Sequence, residues 1–195
     1  MRAAGLLLSV AYAACGAGTA QAQAVAGPRH GEADVRFVTG MIAHHGQALE
    51  MVALVPGRAT RDDVRMMAER IAVSQRDEIA LMERWLTARG EPVPSADSAH
   101  AHHGPGHVMA GMLTPEEMQR LAAASGAEFD RLFLELMIRH HEGALAMVAE
   151  LFGTPGGGQE SAVYHIASEV EADQRMEIDR MRTMLAGPLN GSRPR

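Results

Sequence analysis

Two stretches of this chain carry the same pattern. Residues 34–55 contain Phe37, then Met41-Ile42-Ala43-His44-His45, then Ala48-Leu49 and Met51-Val52-Ala53. Residues 130–151 contain Phe133, then Met137-Ile138-Arg139-His140-His141, then Ala144-Leu145 and Met147-Val148-Ala149. Placed 96 positions apart, the segments agree at 11 of 22 residues. A second pair recurs 99 positions apart: Gln75-Arg76-x-Glu78-Ile79-x-x-Met82 and Gln174-Arg175-x-Glu177-Ile178-x-x-Met181. A chain made of two copies of one unit must pack the copies together when neither covers its own apolar stripe.

The unit reads as a helical hairpin. Its first arm spans about 34–55 and stops at Pro56-Gly57; its second spans about 62–87, with Thr60 as candidate N-cap. Residues 88–112 read as a linker rich in His and Met. Thr114-Pro115-Glu116-Glu117 opens a short extra helix, with a capping-box glutamate and proline at the first helical position. Ser125 and Glu128 stand in the same relation before a third long helix ending near Phe152. Thr154-Pro155-Gly156-Gly157-Gly158 breaks the chain, and a fourth helix spans about 161–185. No stretch alternates with period two as a strand would. The expected fold is all-α: a four-helix bundle of two repeated hairpins, 34–87 and 125–186, within a domain of 34–186.

At about 100° per residue, both histidines of each pair fall on or beside the apolar arc, and the opposite face carries Gly46, Glu50, Arg139, Glu142 and Glu150. On the second arms Gln75, Glu78, Gln174 and Glu177 also fall inside the apolar arc. A buried carboxylate without a partner costs several kcal/mol. The interior therefore holds four His, two Glu and two Gln that satisfy one another or bind something. A lone interior His is ordinarily a hydrogen-bonded core residue, and Met is a common core filler. Two His pairs at equivalent positions, each flanked by Met, weaken that plain reading. Met66, Met176 and His165 fall on solvent faces and are given no role.

Imidazole and thioether together are the donors that soft transition metals select. The candidate ligands are His44, His45, His140 and His141 with Met41, Met51, Met137 and Met147. Ala48 and Ala144 leave room beside them. Glu78, Glu177, Gln75 and Gln174 would support the ligands from behind, as carboxylates orient metal-bound imidazoles. The linker offers looser capture through His102, His103, His107, Met109 and Met112; as a plain alternative, its histidines are a solvated low-complexity tract.

Composition narrows the setting. Arg2 is the only charge before Arg29, residues 5–17 are apolar or small, and Ala20-Gln21-Ala22 fits a cleavage site. Residues 1–22 therefore read as a secretory signal peptide, followed by a flexible lead at 23–33; a tail covers 187–195. The apolar run is too short for a membrane span. Cys15 allows lipid attachment as a rival reading, which Tyr12 fits poorly. Cleavage after Ala22 removes the single cysteine and shifts the formal charge from −6 to −7, since Arg2 leaves with the signal. An acidic surface argues against nucleic acid or anionic lipid as partners, and without thiolates any soft-metal site must use Met and His.

At these residues the chain resembles the bacterial family called domain of unknown function 305, over about 34–186. The resemblance rests on both M-I-x-H-H-x-x-A-x-x-M segments, on Met109-Ala110-Gly111-Met112, on Phe129-Asp130-x-x-Phe133 and on both Q-R-x-E-I-x-x-M segments. It implies a ferritin-like four-helix fold in an exported protein, and copper binding through Met and His as in some relatives. The His-rich insertion at 100–107 looks particular to this chain.

Three functions compete. The first is a non-enzymatic periplasmic or secreted protein that binds Cu(I) or Cu(II), sequestering it or delivering it to a transporter or oxidase. The second is a ferritin-like di-metal oxidase, but no Glu-x-x-His falls on the four helices. The third is a metal-free structural or interaction module whose buried polar groups fix helix register.

Overall fold

The computed structural model describes residues 30–94 and 109–187. Residues 1–22, read above as a signal peptide and including Cys15, most of 23–33 and 187–195, and His102, His103 and His107 lie outside the described residues. Within them are five helices and no strand: α1 (Glu32–Ala53), α2 (Asp62–Arg89), α3 (Pro115–Ala123), α4 (Gly126–Gly153) and α5 (Ser161–Ala186). The all-α expectation holds, and the helix limits fall within two residues of those read from the sequence.

Two apolar clusters set the direction of each long helix. One contains Phe37 and Ile42 of early α1, Leu86 of late α2, Val148 of late α4 and Val163 of early α5. The other contains Met51 of late α1, Val64 of early α2, Phe133 of early α4 and Met184 of late α5. So α1 and α5 run one way and α2 and α4 the other. The main packing partners are α1 with α2 and α4, and α5 with α4 and α2. Every neighbouring pair is antiparallel, which is the geometry of a four-helix bundle. α2 ends beside the first cluster and α4 begins beside the second. Between them the described residues are 90–94, then a strap, Met109–Leu113, followed by α3.

Two buried aspartates lock the hairpins together. Asp34 accepts from the backbone N–H groups of Gly158 (2.7 Å) and Gly31 (3.0 Å). Asp130, its equivalent 96 positions on, accepts from the Thr60 hydroxyl (2.6 Å) and from the N–H groups of Thr60 (3.1 Å) and Arg61 (3.1 Å). Each repeat thus grips the turn of the other. This corrects the expected role of Thr60: the N-cap of α2 is Arg61, because Asp130 engages the threonine hydroxyl. The Thr114–Glu117 capping box forms as expected, with bonds of 2.9 and 3.2 Å. Ser125 is the N-cap of α4 but makes no side-chain cap bond; Gly126, at φ +66°, instead donates its N–H to the Arg58 carbonyl (2.8 Å).

Candidate metal centre

The two apolar clusters are separated by a polar layer. On α1 the break falls at His44 and His45, on α2 at Gln75 and Glu78, on α4 at His140 and His141, and on α5 at Gln174 and Glu177. The four imidazoles are fully buried, as is Gln75, and Gln174 and Glu177 nearly so. The eight interior polar groups expected from the helical wheels are therefore one feature, placed at mid-height by the matched registers of the two repeats.

Within the layer the histidines play two roles. His45 Nε2 donates to Glu78 Oε2 (2.5 Å), and His141 Nε2 donates to Glu177 Oε2 (2.7 Å). These pairs tie α1 to α2 and α4 to α5 in the same way, and each leaves its histidine Nδ1 buried without a partner. His44 and His140 instead meet each other across the α1/α4 contact, with ring centroids 3.8 Å apart and planes tilted by 39°. His44 Nε2 donates to the Ala110 carbonyl (3.1 Å), which leaves its Nδ1 lone pair bare. Neither ring nitrogen of His140 has a partner. Both amide atoms of Gln75 and of Gln174 are likewise buried and unpartnered. An unsatisfied buried polar group costs about 1–3 kcal/mol, so the layer is a place where a ligand has much to satisfy.

Burial also fixes the charge state of the central pair. Removal from water, followed by repulsion from His45, pushes the His44 imidazolium down to about 3. Burial and then the neighbouring His44, His141 and His45 push His140 well below the usual imidazole range. Both rings are neutral at physiological pH. Their lone pairs are available to a metal without competition from protons.

The strap closes this layer from outside. Gly111 and Gly143 let the backbones of strap and α4 touch: a Cβ on Gly143 would stand 2.0 Å from the Ala110 oxygen. The Gln47 side-chain amide holds both backbone groups of Leu113, at 3.0 and 2.7 Å. Arg139 grips Glu117 of α3 through two bonds, 2.5 and 2.6 Å. Met109 and Met147 meet over Gly40, whose absent Cβ would lie 3.7 Å from the Met109 sulfur and 3.3 Å from the Met147 methyl. They line a cavity of about 260 Å³ with Phe37, Ala110 and Leu151.

The sequence-predicted methionines thus separate. Met109 and Met147 converge one helical turn from His44. Met41, one turn before His44, is fully buried in the cluster with Phe37, Met82 and Trp85. Met51 and Met137 are fully buried in the other cluster, with Phe133 and Met181. Met112 is buried and shares a surface pocket with Arg139 and Gly143. Met66, Met176 and His165 are exposed, as the wheels require. Among the described residues no three His, Cys, Asp or Glu side chains converge as a ready-made metal cluster. What converges is a neutral imidazole pair with thioethers close by, a donor set suited to a soft ion. Sequence reasoning missed Gln47, Ala110 and Gly143, which hold the strap.

Residues 34–185 match the domain of unknown function DUF305. The chain belongs to the DUF305 family. A DUF305 fragment from Deinococcus radiodurans is 33% identical, with a TM-score of 0.68 over 82% of this chain and 99% of that one. A DUF305 protein from Streptomyces coelicolor is 31% identical, with a TM-score of 0.67 over 79% and 92%. CopM in its Cu(II)-bound form is 26% identical, with a TM-score of 0.64 over 78% and 95%. No curated protein matches the chain. No helix among the described residues of this DUF305 protein is long and apolar enough to cross a membrane.

Proposed function

We propose that this DUF305 protein binds copper in its central polar layer and sequesters or delivers it outside the cytoplasm, without catalysing a reaction. The observation that carries the reading is the His44–His140 pair: two fully buried neutral imidazoles, 3.8 Å apart, with three ring nitrogens lacking partners. A metal would use lone pairs that the fold has already desolvated and deprotonated. His45 and His141, oriented by Glu78 and Glu177, stand behind them. Met109 and Met147 supply thioether donors one turn away. This mixed set serves Cu(I) through sulfur and nitrogen, and Cu(II) through nitrogen.

The likeness to CopM, solved with Cu(II), supports copper as the ion. The name of the Streptomyces coelicolor relative, that of a secreted protein, supports export, as do the signal-like residues 1–22. A periplasmic transporter or oxidase would then be donor or recipient. Met41, Met51 and Met137 lie in the apolar clusters flanking the layer and would serve as ligands only after local repacking; His102, His103, His107 and Met112 would make a looser outer site.

The test is a Cu(I) titration against a competing chelator. The purified protein should bind at least one ion tightly, and His44→Ala with His140→Ala should weaken that binding by about 100-fold, as loss of two ligands implies. Unchanged affinity and stoichiometry in the double variant would remove the layer as the site. The metal-free reading rests on the His45–Glu78 and His141–Glu177 bonds; it predicts that copper leaves thermal stability unaltered.

A further inference from the structure

The two long grooves of the bundle are finished differently. The α1/α4 groove lies under the strap and α3, bonded to it at His44, Gln47 and Arg58. The α2/α5 groove is lined by those two helices alone and encloses about 990 Å³. It extends from Met66 to Arg84 along α2, which at 1.5 Å per residue is about 27 Å, or five helical turns.

Its surface combines two chemistries. Met66, Val73 and Met176 are 57%, 59% and 50% exposed, half of the six large apolar side chains left in water among the described residues. Around them stand six carboxylates and two arginines. The negative charge is crowded: burial and the neighbouring Glu78, Glu177 and Glu169 push the Asp173 carboxyl up. Glu78 retains a buried oxygen, Oε1, with no partner. A second copy of this acidic chain, or an anionic bilayer, would meet repulsion here. A helix that is apolar on one face and cationic at its edges would not.

We propose that the α2/α5 groove is a docking surface for a basic, apolar-faced helix of a partner protein, with cationic side chains reaching Glu78 and Glu177. Those carboxylates hold His45 and His141 through Oε2, so a guanidinium drawn to the unpartnered Oε1 of Glu78 shares its carboxylate with an imidazole of the polar layer. Docking and the layer are thereby linked. That such a partner exchanges copper rests on the copper reading; the docking does not.

The probe is a synthetic 18-residue helix with Leu and Met on one face and Arg at its edges, paired with a control carrying Glu in place of Arg. Both are titrated into metal-free, isotope-labelled protein by NMR and fluorescence anisotropy. The arginine peptide should bind saturably, shift resonances at Met66, Val73 and Met176, and lose about tenfold in affinity on Glu69→Arg with Asp77→Arg or on Met176→Asp. Far-ultraviolet circular dichroism of the variants should match that of the parent. Equal binding of the glutamate peptide, or shifts confined elsewhere, overturns the proposal. So does self-association, or adsorption to phosphatidylserine vesicles, that Met176→Asp abolishes. Because the protein carries no metal, failure of copper binding would leave this result standing.

Discussion

His44 and His140 are set apart from ordinary histidines by burial, and their burial has a consequence for stability. The unfolded chain takes up a proton on each near 6.5, whereas folded His44 resists protonation until about 3. Between those values the unfolded state binds more protons, so stability falls as pH drops through 6.5 and goes on falling toward 3. The slope is at most about 1.4 kcal/mol per pH unit for one histidine. Urea unfolding of the metal-free protein across this window should show the decline, and His44→Phe should make it shallower, with the His140 share remaining; a pH-independent midpoint would contradict the burial of neutral rings. The four histidines were legible in the sequence because each occurs twice in one register. Asp34 and Asp130 also occur twice, and that identity was the available signal. Asp130 entered only as part of a family motif and neither aspartate was given a role, because an aspartate near a helix start is ordinarily a cap, and only tertiary contact reveals which turn it grips. Asp130→Ala removes a fully buried carboxylate that accepts three bonds from the solvent-edge residues Thr60 and Arg61, and should cost about 2 kcal/mol in chemical denaturation. A loss below about 0.5 kcal/mol, the range of ordinary surface substitutions, would show that the clasp is incidental.

Among the elements, the four long helices and α3 follow from local patterning: apolar periodicity, turn residues, and the Thr114–Glu117 box. Thr60 was misleading because its hydroxyl bonds the partner nearest in space, Asp130, whereas Ser125 does mark the N-cap of α4, without a side-chain bond. The strap was legible only as composition. Its path depends on Gly111 and Gly143, where two backbones approach too closely for any side chain. Gly111 also sits at φ +75°, in the left-handed region that favours glycine. Gly143→Ala leaves α4 helical but pushes Ala110 outward and breaks its bond to His44. Faster amide exchange at Met109–Leu113 is expected, with little change in circular dichroism and a melting temperature lower by several degrees. Unaltered exchange would mean that the strap does not depend on this contact.

For the molecule as a whole, duplication explains why a polar layer sits at the middle of an otherwise apolar bundle. Each hairpin contributes two His, one Gln and one Glu at one height, and the pairing of hairpins gathers them. The bundle and the interior position of this layer could be read from two repeats and a helical wheel. Which methionines reach it could not, since Met is equally at home as core filler, and Met51 and Met137 are placed in that role. A layer with so many unpartnered atoms is a cost in the metal-free state. Gln75→Leu with Gln174→Leu should therefore leave the metal-free melting temperature equal or higher; a marked drop would show that the amides are satisfied in solution. The most direct measurement is nitrogen-detected NMR of the histidine rings as one equivalent of Cu(I) is added at neutral pH. The account predicts large shifts at His44 Nδ1 and at a ring nitrogen of His140, with His165 unchanged. Shifts confined to the histidines at 100–107, with the buried four unmoved, would contradict it.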